Sequence, residues 1–142
     1  MGLTKFLNSM HYAISYVSTV DTDLETQEIK DLLAHSKKIN NERNITGLLL
    51  FSEGNFFQVI EGNKMKVKNL FQKIKDDKRH HGIIKIFEKE ITRESYNGYE
   101  SSFLSEEAKY NDPSLQYYIN YLKVLDPKSQ NTIKSILRAF IS

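Results

Sequence analysis

The chain of 142 residues predicts an α+β fold of the ferredoxin-like kind. The predicted order is βαββαβ with one additional strand, two helices on one sheet face, and two further helices at the C-terminus. Three observations predict it. Stretches of strand periodicity alternate with stretches of helical periodicity in that order. Thr46 to Gly62 reads as two apolar strands joined by a tight turn at Ser52-Glu53-Gly54-Asn55. Two helices packed on one face of a mixed or antiparallel sheet is the arrangement that buries these faces most simply.

In order, residues 1–10 read as an N-terminal extension. His11 to Ser18 reads as the first strand, with Tyr12, Ile14 and Tyr16 on one face and Ala13, Ser15 and Val17 on the other. Asp21-Thr22-Asp23 reads as a helix start: Thr22 and Glu25 have capping-box spacing, and Asp23 is an alternative cap. The Asp-x-Asp pair lacks the glycine and terminal glutamate of a calcium loop. A helix from about Leu24 to Asn41 follows. Its stripe begins Ile29, Leu32, Leu33 and continues through Ser36 and Asn40, so it turns polar in its last turns. Either the end frays toward solvent, or Ser36 and Asn40 face something polar inside.

The hairpin comes next. Phe56, Gln58 and Ile60 share one face, and Phe57 and Val59 the other. Both faces are apolar, so Gln58 is expected to be buried, with two donors and two acceptor sites to satisfy. A second helix is predicted over about Asn63 to Asp76, burying Met65, Val67, Leu70, Phe71 and Ile74. A strand over Ile83 to Glu90 and another over Tyr99 to Leu104 follow. Asp112-Pro113 and Asp126-Pro127 each combine an N-cap with proline at the first helical position. They open two amphipathic helices within the C-terminal segment, residues 106–142. Those stripes cover the open sheet face or pair with another subunit.

Composition narrows the function. The net charge of +2, scattered rather than blocked, gives no argument for nucleic acid. With no cysteine there is no disulfide framework, thiol nucleophile or Cys-type metal site. No run approaches a membrane span, and the opening residues are too short and polar for a signal peptide. A cytoplasmic protein is expected. Neither GxGxxG nor a P-loop is present, and no nucleophile elbow. His80 and His81 read as surface residues. Glu88 and Glu90 read as a solvated strand face beside Lys85 and Lys89. No hydrolytic or metal site is expected. Tyr16, Gln58, Ser36 and Asn40 remain as polar groups aimed inward. They form either a water-satisfied core network or a site for a planar, hydrogen-bonding aromatic cofactor.

From His11 to about Leu104 the sequence resembles the BLUF family, the blue-light sensors that use flavin. The resemblance lies in ISYVS with Tyr16, in Ser36-Lys37-Lys38-Ile39-Asn40 leading to Asn44-Ile45-Thr46-Gly47-Leu48-Leu49, in Phe56-Phe57-Gln58-Val59-Ile60-Glu61-Gly62, and in Asp77-Lys78-Arg79-His80-His81. It implies a flavin-binding domain over residues 11–105 that holds FAD, with FMN the alternative, between the two helices. It further implies that Tyr16 donates an electron on illumination and that Gln58 bridges Tyr16 to the ring and rearranges its hydrogen bonds. Asn40 would bind a flavin carbonyl, Ser36 and Ile39 would lie near the ring, and Arg79, with Lys78 second, would approach the ribityl-phosphate end. The protein would be a non-enzymatic photoreceptor signalling through the last strand and C-terminal helices to a protein partner or to itself as a homo-oligomer. At that output the sequence departs from its relatives: Tyr99 and Ser101 stand where they often carry Trp and Met. A non-photoactive flavin- or protein-binding module on the same fold is the alternative, with a small flavin-using oxidoreductase third.

Overall fold

The computed structural model describes residues 10–103; the predicted N-terminal extension, apart from its last residue, and the two predicted C-terminal helices lie outside the described residues. Strands β1 (His11–Val20), β2 (Thr46–Ser52), β3 (Asn55–Asn63), β4 (His80–Ile91) and β5 (Tyr99–Phe103) are joined with helices α1 (Thr26–Glu42) and α2 (Lys64–Asp76) in the order β1-α1-β2-β3-α2-β4-β5. The five strands form one sheet in the order β4-β1-β3-β2-β5. The first four are antiparallel neighbours and β5 runs parallel to β2. This is the predicted ferredoxin-like arrangement with the additional strand at the edge.

The β2–β3 connection is as short as the sequence requires. Glu53 and Gly54 both have positive φ, 47° and 84°, the backbone of a two-residue hairpin turn whose twist matches the strands. The resulting register sets Leu49 opposite Gln58 and Tyr16 opposite Gln58. Gln58 therefore has one neighbour on each side along a row crossing three strands, and Leu49 in turn pairs with Ser101 of β5.

One continuous core lies between the sheet and the helices. Tyr12, Ile14, Tyr16, Leu49, Phe51, Phe56, Ile60 and Tyr99 meet Ile29 and Leu33 of α1 and Val67 and Phe71 of α2. Burying each of the larger apolar side chains stabilises the fold by about 1.5–3 kcal/mol. The opposite sheet face is buried as well, including Leu48, Leu50, Phe57 and Val59, so β2 and β3 are continuous apolar runs rather than alternating ones.

Several local expectations are corrected. The α1 cap is not Thr22 or Asp23. Asp21 accepts from the Asp23 amide at 3.1 Å in a separate turn, and Glu28 reaches back to the Glu25 amide at 3.2 Å. The capping-box interaction thus occurs three residues later, between Glu25 and Glu28. On α2, Asn63 is the cap, accepting from Met65 N and Lys66 N. Met65 is exposed rather than buried, since at the first turn it projects beyond the sheet. Strand β4 begins at His80, three residues before the predicted start.

Candidate flavin site

Strand alternation aims Tyr16, Gln58 and Tyr99 at the same inner face, and all three are almost completely buried. Gln58 donates from Nε2 to the Tyr16 hydroxyl. The Tyr99 hydroxyl donates to Gln58 Oε1. The amide is therefore held at both ends by phenols, one from β1 and one from β5. Asn40, near the end of α1, is buried. The stripe of α1 turns polar because it faces this row; the helix end does not fray. Tyr99 and Gln58 pair, as do Tyr16 and Gln58, so the awkward amide predicted from the hairpin has its partners.

Burial pushes the Tyr16 phenol well above its ordinary pKa, with a nearby Asp77 charge adding to the rise and the Gln58 hydrogen bond opposing it. Tyr99 is raised as well, first by burial, then by the proximity of Tyr16. Both phenols are neutral at physiological pH, because removing a proton would leave an anion in an apolar surround.

A cavity of about 70 Å³ opens onto this row. Leu32, Leu49, Phe56 and Ile74 give it apolar walls, and Tyr16, Gln58, Asp77, Arg79 and His80 its polar edge. Between the same two helices a cleft of about 410 Å³ adjoins Asn40 and carries Arg43, Lys66 and Lys73. The chemistry of this lining, apolar walls with convergent amide and phenol groups, suits a flavin ring, whose faces are apolar and whose pyrimidine edge both donates and accepts, while the cavity itself is smaller than the ring. The donor set fits the group.

The remaining predicted residues are placed less centrally. Arg79 lines the cavity, but its guanidinium is engaged by Asp77, with contacts of 3.0 Å from Nε to Oδ1 and 2.6 Å from Nη2 to Oδ2. The Asp77 carboxyl is lowered by that hydrogen bond. Lys78 is exposed beside an outer groove. Ser36 and Ile39 are half-buried on α1. Ser101 donates from Oγ to the Leu33 carbonyl at 2.7 Å, tying β5 to α1.

Two residues of the site were missed in the sequence. His80 is half-buried rather than fully exposed. Its Nε2 lies 2.6 Å from Ile74 O and its Nδ1 2.7 Å from Ser18 Oγ. A carbonyl can only accept, so Nε2 carries a proton. The ring stands 6.2 Å from that of Tyr16 and 6.3 Å from that of Phe56. Asn41 is the second: its Oδ1 accepts from Tyr99 N and its Nδ2 donates to Tyr99 O. A second consecutive asparagine at the end of a helical stripe was the available signal. By contrast, Glu88 and Glu90 do form a charged strand face, paired with Lys85 and Lys64, although Glu88 also accepts from the Tyr12 hydroxyl at 2.8 Å.

Residues 11–102 match the family described as BLUF, sensors of blue light using FAD. The chain belongs to the BLUF family. Its domain is a blue-light, flavin-binding sensor module. The chain is 31% identical over 71 residues to the blue light- and temperature-regulated antirepressor BluF of Escherichia coli, covering 50% of this chain and 18% of that protein. It is 31% identical over 83 residues to the photoactivated adenylate cyclase subunit alpha of Euglena gracilis, covering 58% of this chain and 8% of that one. The chain thus spans less than a fifth of either relative. Among solved structures, a bacterial light-regulated adenylyl cyclase superposes with a TM-score of 0.64 at 27% identity, over 92% of this chain and 34% of the other. BlrP1 of Klebsiella pneumoniae shares the fold with a TM-score of 0.72 at 23% identity, over 91% and 34%. Among the described residues, no helix is long and apolar enough to cross a membrane.

Proposed function

We propose that this protein is a blue-light photoreceptor that holds FAD between α1 and α2, with Tyr16 and Gln58 as its photochemical pair. The observation that carries this reading is the Gln58 amide, buried and hydrogen-bonded to Tyr16 where the two helices leave a cavity. Asn40, Ser36, Ile39 and Arg79 are the further residues assigned to holding the cofactor, with Lys78 at its outer end. Bound oxidised flavin supplies blue-light absorption and an electron-accepting ring.

Tyr16 serves as the electron donor. Its phenol is kept neutral by burial, so losing an electron makes its proton strongly acidic; Gln58, whose Nε2 donates to that hydroxyl, accepts the proton only after its amide turns to present Oε1. Gln58 suits the task because one flat side chain carries a donor and an acceptor at opposite ends. Exchanging those ends changes what Gln58 offers its neighbours without moving the backbone. The altered amide is read by β5 through Tyr99, and by α1 through Ser101 and Leu33. From there the signal passes to a protein partner or a second copy of this chain.

Absorption spectra before and after blue light test this. The purified protein is expected to be yellow, and its visible band to move to longer wavelength on illumination and return in the dark. Gln58→Leu is expected to keep flavin but lose the shift; a variant with an unchanged shift would sink the mechanism. A non-photoactive flavin-binding module is the second reading, favoured by the clamping of Gln58 at both ends. Bound flavin with a spectrum indifferent to light would select it.

A further inference from the structure

The chain between β4 and β5 has the whole sheet to cross. In the strand order β4-β1-β3-β2-β5 these two strands are opposite edges, about 19 Å apart at ordinary strand spacing. Residues 92–98 make the crossing outside any strand or helix, and the chain from Ile91 to Tyr99 reaches at most about 28 Å. The loop is tied to each intervening strand in turn. Glu94 Oε1 lies 2.5 Å from Nδ1 of His11 on β1. Ser95 N and Tyr96 N donate to Glu61 on β3. Gly47 N of β2 donates to Gly98 O at 3.0 Å. The next residue is Tyr99, whose hydroxyl donates to Gln58 Oε1.

The central tie is built for a carboxylate. Glu61 is fully buried, on the sheet face opposite Gln58. Ser95 N lies 3.1 Å from its Oε1 and 3.0 Å from its Oε2, Tyr96 N 3.2 Å from Oε1, and the Thr46 hydroxyl 2.9 Å from Oε1. All three partners donate, which suits an acceptor-only group with room for about four such bonds. We propose that Glu61 is a positioning residue for the light response: by fixing the midpoint of the β4–β5 crossing it sets where β5 starts, and so delivers the Tyr99 hydroxyl to Gln58. The proposal rests on Gln58 being the switching residue. Register matters here because β5 has one strand neighbour, with Tyr99 opposite Gly47. A slip of one residue would turn Tyr99 to the outer face and bring Glu100 in its place. Asn41 and Ser101 hold β5 from the helix side; Glu61 holds its approach from the other.

Glu61→Gln keeps the size of the side chain and replaces one oxygen by an NH2 group. Ser95 N is within hydrogen-bond reach of both oxygens, so in either orientation a donor meets a donor. The Ser95 peptide is displaced, and Tyr99, close behind it in the chain, loosens against Gln58. An amide that turns must break its bond to Tyr99. A loosened Tyr99 therefore lowers the barrier for Gln58 to return in the dark.

Two measurements on the full chain test this. In the flavin-loaded protein, dark recovery after blue light is expected to be about fivefold faster in Glu61→Gln than in wild type, the worth of one hydrogen bond. In a Tyr99→Phe background the same substitution is expected to change nothing further, because there is no phenol left to position. Recovery at the wild-type rate, or an equal acceleration in both backgrounds, would overturn the proposal; the second result is what a merely structural role predicts. In the flavin-free protein, backbone hydrogen exchange at Ser95 and Tyr99 is expected to be about tenfold faster in Glu61→Gln, with Val59 unchanged. Exchange at Tyr99 that stays at the wild-type rate would overturn the positioning whether or not flavin binds. Thr46→Val, which removes one donor from the carboxylate, is expected to give the same changes in smaller measure, and is judged by the same criteria if Glu61→Gln does not fold. A wild-type spectrum indifferent to light would instead overturn the photochemical reading, leaving the exchange comparison to decide the placing of Tyr99.

Discussion

Asn41 brackets the peptide of Tyr99: its Oδ1 accepts from Tyr99 N at 3.0 Å and its Nδ2 donates to Tyr99 O at 2.9 Å. One side chain of α1 thereby replaces the strand that β5, at the sheet edge, lacks on its outer side. Edge strands expose a row of unpaired peptide groups, and here the first of them is satisfied from above. Asn41→Ala should cost about 1–3 kcal/mol of stability, read as a lower urea midpoint. Its signature should be local, with faster hydrogen exchange at the Tyr99 amide and little change at Val59. Uniform loss of protection across the sheet would contradict this role.

Tyr16→Phe removes the phenol that accepts from Gln58 while keeping the ring that stands 5.7 Å from Phe71. The expected protein folds, retains flavin, and shows no light-induced shift, because the electron donor is gone. Fold loss is expected to be modest, about 1 kcal/mol for one buried hydrogen bond. Difference spectroscopy and a denaturation midpoint separate the two effects.

Glu61 is completely buried. Its carboxylate accepts from Ser95 N at 3.0 Å, from Tyr96 N at 3.2 Å and from the Thr46 hydroxyl at 2.9 Å. Burial raises its pKa above the ordinary 4.5, and those donors oppose the rise without cancelling it. The folded chain thus holds this proton more tightly than the unfolded chain. The stability it contributes is complete below about pH 4.5 and is lost as pH climbs through the raised folded value. Urea midpoints taken from pH 4.5 upward should fall through that window, and Glu61→Gln should remove the slope. Asp77 works in the other direction. Its pKa is lowered, first by the Arg79 hydrogen bond, so its share of stability is present above pH 3.8 and fades as pH falls through the folded value. Both partners are partly exposed, and the pair is worth no more than about 1 kcal/mol after screening.

Gly47 pairs with Ile60 in the hairpin at φ +140°, and a Cβ there would stand 1.9 Å from the Val59 carbonyl oxygen. No rotamer relieves a clash with backbone. Gly47→Ala should destabilise by on the order of 3 kcal/mol. Gly54→Ala, where nothing lies within 4 Å, should cost only about 1 kcal/mol for its positive φ. Thermal midpoints of the two variants should differ accordingly; equal losses would mean that the close approach at Gly47 is absent in solution.

The order of elements, the hairpin turn and the partnership of Tyr16 with Gln58 were legible because they depend on periodicity and on near neighbours in a short-looped sheet. Gln58 stood out as an amide in an apolar strand. The same argument one face over would have found Glu61, which shares a strand face with Phe57 and Val59 among buried side chains. Its partners at Ser95 and Tyr96 could not be read, since a loop 34 residues away has no periodicity to follow. His80 was misread for a related reason. Adjacent histidines in a charged stretch look solvated, and only the antiparallel pairing of β4 with β1 turns one of them toward Ser18.

The sequence by itself determined which strands alternate, where the chain turns, and that a polar group would sit inside an apolar hairpin. These follow from local geometry: side chains two apart share a strand face, and positive φ selects the turn. Only the tertiary structure decided that β5 lies parallel to β2, and hence that Tyr99 reaches Gln58 and that Asn41 reaches Tyr99. Strand order is set by which apolar faces and peptide edges can be satisfied together across the whole sheet. No stretch of sequence carries that information alone.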